Sequence, residues 1–232
     1  MKLPQLHETI LATTRYLEAL TSLSDDDCRQ PSALPGWTRA HVVTHLARNA
    51  DALVNLLHWG QTGVESPMYA SQEQRDQDID SGASRGVEEL RADSVASCGR
   101  FLQAANELHT SRFDAEVSRL PGSPPFPVTR VGGMRRTEVE VHHADLLIGY
   151  TAYDWPEDFT RHLLQRRQRE LGEKGLAMVW RLTDTGESIH VLDGGPEVSA
   201  HSADLVWWLL GRGNGDGLVT SGPGLPELGR WA

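Results

Sequence analysis

The chain has 232 residues, a formal net charge of -10, 39% hydrophobic and 23% charged side chains. That length carries one large domain or two small ones with a sizeable core, and the acidic balance argues against a nucleic-acid partner, whose phosphates are held by clustered Lys and Arg. The two cysteines, Cys28 and Cys98, form neither a disulfide framework nor a Cys-based metal motif.

The N-terminus lacks a basic segment followed by a continuous apolar run, so no signal peptide is visible. No stretch approaches the roughly 20 apolar residues of a membrane span, and a cytoplasmic location is expected. Leu6, Ile10, Thr13, Leu17 and Leu20 recur at helical spacing and predict a first amphipathic helix. Ser24 to Asp27 is polar and ends that helix or caps a short turn. Pro31 to Thr38 is rich in helix breakers, with Thr38 as an N-cap for a second helix from Arg39 to Trp59. Gln61 to Met68 reads as a loop and Ser71 to Asp80 as a short charged helix. Arg75, Arg85 and Arg91 alternate with acids and read as a solvated helix face.

Val87 to Leu108 predicts a third long helix, in which Cys98 keeps register with Phe101 and Leu102 as a small core residue. Residues 114–132, with Pro121, Pro124, Pro125 and Pro127, read as an extended connection bordering a site. A fourth helix is expected from Met134 to Gly149. Four helices with such connections predict a bundle, in which metal sites are built from inward-facing side chains. After Tyr150 the character changes. Glu157 to Lys174 reads as a charged helix, and residues 177–183 and 187–192 as strands joined by a hairpin at Asp184-Thr185-Gly186. A short strand at residues 197–200, a helix from Ser202 to Leu210 and a glycine-rich tail follow. The expected architecture is an α-helical bundle over residues 1–152 and a small α+β domain over 153–232.

Glu138 and His142 lie one turn apart on one helix face, with Asp145 three residues further on that face. A carboxylate and an imidazole so placed are two metal ligands in need of a third. His45 sits within the apolar stripe of the second helix, three after Val42. Taken alone, a His there is more often a core residue than a ligand, and Glu-x-x-x-His pairs also arise as ordinary hydrogen-bond pairs. Together, His45, Glu138 and His142 make a two-nitrogen, one-oxygen set that leaves a coordination position open, the mark of a catalytic site. Zinc fits such donors best, with nickel or manganese as alternatives. His41 is discounted because it lies in the first helical turn, near the positive end of the dipole. Glu140 and His143 point off the Glu138 face and read as outer-layer or surface groups. Asn49, Asp145 and His143 are candidates to orient an imidazole, and Trp37, Trp59 and Met68 to line a site. Arg135 and Arg136 read as surface charges.

Several segments add a resemblance. Gly36 to His41 with Thr44 to Asn49 resembles the second-helix signature of DinB-like metal-dependent bundle proteins. The closer similarity is to the mycothiol-dependent maleylpyruvate isomerases. It runs through Leu56 to Trp59, Thr62-Gly63, Ser66 to Tyr69, Met134 to Leu146, Ala200 to Leu205, Leu210 to Gly213, and Pro226 to Trp231. It covers nearly the whole chain and is weakest over 111–132. What it implies is a DinB-like bundle with a small C-terminal domain, Zn2+ held by His45, Glu138 and His142, and a substrate-binding arginine at Arg212. It further implies mycothiol, or another low-molecular-weight thiol, as cosubstrate and cis–trans isomerisation of maleylpyruvate, in aromatic-compound breakdown, by reversible thiolate addition. The expected partners are a small dicarboxylate and that thiol, with no nucleic acid or membrane, in a monomer. The competing readings are a thiol S-transferase, a metal hydrolase, and a metal-binding protein without turnover.

Overall fold

The computed structural model describes residues 2–228, so Arg230 and Trp231 of the C-terminal similarity lie outside the described residues. The chain divides into two compact units, residues 1–148 and 149–232.

In the first unit, α1 (Leu6–Leu20), α3 (Arg39–Thr62), α5 (Val87–Glu107) and α6 (Val131–Asp145) are the long helices, with short α2 (Asp25–Arg29) and α4 (Gln72–Ala83) between them. α3 packs on α5 and α6, and α1 on α6 and α5. Two apolar clusters result. Leu53, Leu56 and Leu57 of α3 meet Phe101 and Ala105 of α5 in one, and Tyr16, Val42, Leu46, Leu90 and Val139 build the other. Ser24 caps α2 as its acidic sequence predicts, its hydroxyl accepting from the Asp27 amide at 3.1 Å. Thr38 is the N-cap of α3, but with His41 as capping partner: the Thr38 amide donates to His41 Nδ1 at 3.2 Å. His41 Nδ1 is thereby engaged at the start of α3.

Three expectations change. The 114–132 connection carries a short antiparallel ribbon, β1 (Glu116–Val117) with β2 (Phe126–Pro127), anchored by buried Val117 and Phe126. α6 starts at Val131, so its first turn includes Gly132 and Gly133. A Cβ on Gly132 would lie 2.2 Å from the Pro4 carbonyl oxygen, so glycine here is what lets α6 approach the chain entering α1. α6 ends at Asp145 because Leu147 turns into the left-handed region, φ 56°. Arg135 and Arg136 are buried, at 1% and 4% exposure, and not surface charges. Arg135 donates to the Leu46 carbonyl (2.8 Å), Asn49 Oδ1 (2.9 Å) and Cys98 Sγ (3.4 Å). This tie between α6, α3 and α5 is what a buried guanidinium requires.

The second unit has α7 (Glu157–Glu173), α8 (Ser202–Leu209) and a four-stranded sheet in the order β4 (Ser188–His190), β3 (Val179–Leu182), β5 (Glu197–Ala200), β6 (Val219–Thr220). β3 pairs antiparallel with β4 and parallel with β5, and β6 is antiparallel to β5. The 184–186 turn closes as expected, the Gly186 amide donating to the Leu182 carbonyl at 2.8 Å. β6 lies in the glycine-rich tail, where two residues are too short for a period-2 signal. Alternate residues Trp180, Leu182, Val198 and Ala200 are buried and form the apolar face of the sheet. Among the described residues, no helix is long and apolar enough to cross a membrane.

Candidate metal centre

α3 and α6 pack against each other, and that crossing brings His45 to Glu138 across 93 residues of sequence. His45 Nε2 lies 3.0 Å from Glu138 Oε2, and His142 Nε2 lies 3.4 Å from the same oxygen. One ligand atom from each of the three residues falls within 4.8 Å of the others. Two ligand atoms held tetrahedrally by zinc sit roughly 3.4 Å apart, so the spacing and the donor types both fit a divalent cation. The imidazole side chains are 6% and 11% exposed and Glu138 is 27% exposed, so solvent reaches the group on the carboxylate side.

The outer contacts settle which nitrogen of His142 faces the centre. Asp145, fully buried, accepts from His142 Nδ1–H at 2.8 Å. Nε2 is therefore turned toward Glu138, as a ligating imidazole needs. Burial pushes His45 down to about 4, against the pull of Glu138, so this ring is neutral at neutral pH with a lone pair to offer. Burial would also lower His142, but the hydrogen bonds to Asp145 and Glu138 outweigh it and raise its pKa. For Glu138 burial acts upward, and hydrogen bonds from His142 and His45 overcome it, holding the carboxyl well below its usual range. Metal and proton compete for the same His142 nitrogen, so cation binding there depends on pH.

The other expected residues separate. Trp37 stands beside the group, its ring 5.6 Å from His45. Met68 and Trp59 belong to the apolar cluster around Leu53. Glu140 and His143 are buried, at 1% and 3% exposure, and face away from the triad: Glu140 accepts from Arg15 Nη2 at 2.7 Å and His143 packs edge-on to Tyr16. Asn49 does not orient an imidazole; its side-chain oxygen holds Arg135. The solvated-face reading of the arginines fails for all three. Arg85 bonds Asp93 at 2.8 Å, Arg91 donates to the Leu20 and Leu23 carbonyls, and Arg75 Nη2 reaches His45 Nδ1 at 3.3 Å. Tyr69, under the Arg75 guanidinium at 5.8 Å, is a further neighbour that sequence reading passed over. Nothing in the local pattern marks either residue, because their placement depends on how α4 docks.

Arg212 follows α8 in the second unit. It is 6% exposed and donates from Nη1 to the Leu210 carbonyl at 2.7 Å. That unit also holds a cavity of about 490 Å3 between α7 and β4, lined by Tyr153, Arg161, Gln165, Ile189 and His201, and Arg212 is not among its lining residues.

A helical bundle with two buried histidines and a partly exposed glutamate as a donor group, followed by a small α+β unit, defines a class of two-unit proteins with a candidate catalytic metal centre. Residues 11–147 match the family described as Mycothiol maleylpyruvate isomerase N-terminal domain. The chain belongs to the mycothiol-dependent maleylpyruvate isomerase family. It is similar to a crystal structure of the mycothiol-dependent maleylpyruvate isomerase, with 31% identity, a TM-score of 0.90, and coverage of 98% of this chain and 95% of that one. A histidine-to-alanine mutant of a mycothiol-dependent maleylpyruvate isomerase matches with 31% identity, the same coverage and a TM-score of 0.89. No curated protein matches the sequence significantly.

Proposed function

We propose that this isomerase converts maleylpyruvate to fumarylpyruvate with mycothiol as a cosubstrate that is not consumed, at a divalent-cation centre held by His45, Glu138 and His142. The observation that carries the reading is the convergence of those three donors with Asp145 fixing the His142 tautomer. Zinc suits two imidazoles and a carboxylate best. Such a cation supplies a position at which a thiol of ordinary pKa, about 8.5, is held deprotonated.

The chain contributes no nucleophilic sulfur of its own. Cys28 and Cys98 are buried, burial raises the Cys28 thiol, and Cys98 accepts from Arg135. The reaction therefore draws sulfur from the cosubstrate. Its thiolate adds to one alkene carbon, and the π electrons move onto the adjacent carbon and its conjugated carbonyl. The former double bond rotates as a single bond, and collapse of the enolate expels the thiolate and restores the alkene in the trans form. No atom is gained or lost and no oxidant is needed. His45 and His142 present their Nε2 atoms and Glu138 its carboxylate; Asp145 holds the His142 proton on Nδ1, away from the centre. Arg212 is assigned to a substrate carboxylate on the family resemblance, and a bidentate guanidinium suits that task.

The decisive experiment supplies zinc-loaded protein with maleylpyruvate and a substoichiometric amount of mycothiol. More product than thiol, with the thiol recovered unchanged, is the expected outcome. An accumulating thiol adduct would make the protein an S-transferase, and conversion without thiol would remove the mechanism. Asp145→Asn should weaken zinc roughly 10- to 100-fold, measured by competition with a chromophoric chelator, because the amide stabilises the required tautomer less well. Unchanged affinity would mean that Asp145 does not position His142.

A further inference from the structure

Arg75 has a place in the first unit that neither its sequence context nor the proposed reaction explains. α4 is mostly exposed, and of its residues Ile79 and Gly82 are buried. Gly82 seats it on α3: a Cβ there would lie 2.4 Å from Thr44 Cγ2, so the helix docks directly against the residue preceding His45. Two turns earlier on α4, Arg75 is carried to the metal centre. Its Nη1 donates to Asp76 Oδ1 at 2.7 Å, its Nη2 meets His45 Nδ1 at 3.3 Å, and its guanidinium stands 5.8 Å over the Tyr69 ring. The side chain is 21% exposed, so one edge of the fork remains open to solvent.

The donor inventory makes the His45 contact conditional. Arginine has five donors and no acceptor, so in this contact Nδ1 is the acceptor and the ring proton sits on Nε2, toward Glu138. A cation at Nε2 needs a lone pair on that nitrogen, so a neutral ligating imidazole must carry its single proton on Nδ1. Two N–H groups would face each other, with a divalent charge close behind. The Arg75–His45 contact and a loaded centre therefore exclude one another. Asp76 and Tyr69 still hold the stem and one edge of the guanidinium, and the released Nη2 edge needs an anionic partner.

We propose that Arg75 is a substrate-binding residue: occupation of the centre frees its guanidinium from His45, and the freed fork takes a carboxylate of the substrate. The dicarboxylate identity rests on the function proposed above; the release from His45 does not. It couples loading of the centre to creation of an anion site, so substrate binds well only where a cation is already in place.

Arg75→Gln tests both parts. Zinc affinity, measured with a competing chelator, should tighten about three- to tenfold, because a competing donor and a like charge are removed. The KM for maleylpyruvate should rise roughly 10- to 100-fold with kcat little changed, the signature of a lost charged hydrogen bond in binding. Arg75→Lys should keep an intermediate KM, since it retains the charge and loses the fork. If zinc binds more weakly to Arg75→Gln, the arginine supports His45 instead of competing with metal, and the proposal fails. An unchanged KM overturns it equally. Should the wild-type protein not turn over maleylpyruvate, calorimetric binding of maleate to the zinc-loaded protein decides separately. Binding that Arg75→Gln abolishes upholds the anion site, and binding that is absent or survives the substitution removes it.

Discussion

If the proposed centre holds a cation, Glu138→Gln is expected to abolish its binding and lower kcat/KM by roughly a thousandfold, the several kcal/mol that a Lewis-acidic ion contributes to a transition state. The oxygen that lies 3.0 Å from His45 Nε2 and 3.4 Å from His142 Nε2 is the one anionic donor of the three. An amide of the same shape offers a neutral oxygen and turns an N–H donor toward the cation. Because Glu138 is partly exposed and Gln is isosteric, the fold should persist, which circular dichroism will show. Metal analysis by inductively coupled plasma mass spectrometry, read beside steady-state kinetics, checks the result. A variant that keeps full metal and full activity would remove Glu138 from the ligand set.

The second large effect concerns stability. Arg135→Ala should destabilise the protein by about 3–5 kcal/mol in urea unfolding. The guanidinium serves the Leu46 carbonyl and Asn49 Oδ1, and hydrogen bonds from a charged donor are each worth about 1.5–3 kcal/mol. Truncation leaves both acceptors buried and removes a side chain that is 1% exposed, opening a cavity between α3, α5 and α6. Leu46 adjoins His45, so looser packing here should also lower metal affinity. A loss below about 0.5 kcal/mol, the range of ordinary surface changes, would mean that α6 is held without this arginine.

These two effects differ in how far the chain announces them. Glu138, His142 and Asp145 are spaced by four and three residues, and a helix with 3.6 residues per turn places them together whatever surrounds it. The same periodicity gives α1, α3, α5 and α7 nearly to their ends, and the Asp184-Thr185-Gly186 turn announces the β3–β4 hairpin. His45 was less legible: its own spacing favours a core residue, and similarity to a known family singled it out. Charge patterning misled in one direction. Arg75, Arg85, Arg91, Arg135 and Arg136 all read as solvated, yet Arg135 and Arg136 are buried and the other three bond groups on other elements or turns. Polarity indicates exposure only on average; a guanidinium can be taken inward when carbonyls, amides and carboxylates converge on it.

Local order and site chemistry are thus divided between two sources. The helical register, the pairing of Glu138 with His142, the cap at Ser24 and the lack of a usable thiol follow from residue order, because each depends on neighbours a few positions away. That His45 meets Glu138 across 93 residues, that Asn49 is taken up by Arg135 across 86, and that Arg75 reaches His45 across 30 were decided by packing. The physical reason is distance along the chain. Backbone geometry propagates reliably over a turn or two, whereas α3, α4 and α6 meet only where close approaches such as Gly82 on Thr44 and Gly132 on Pro4 allow them to.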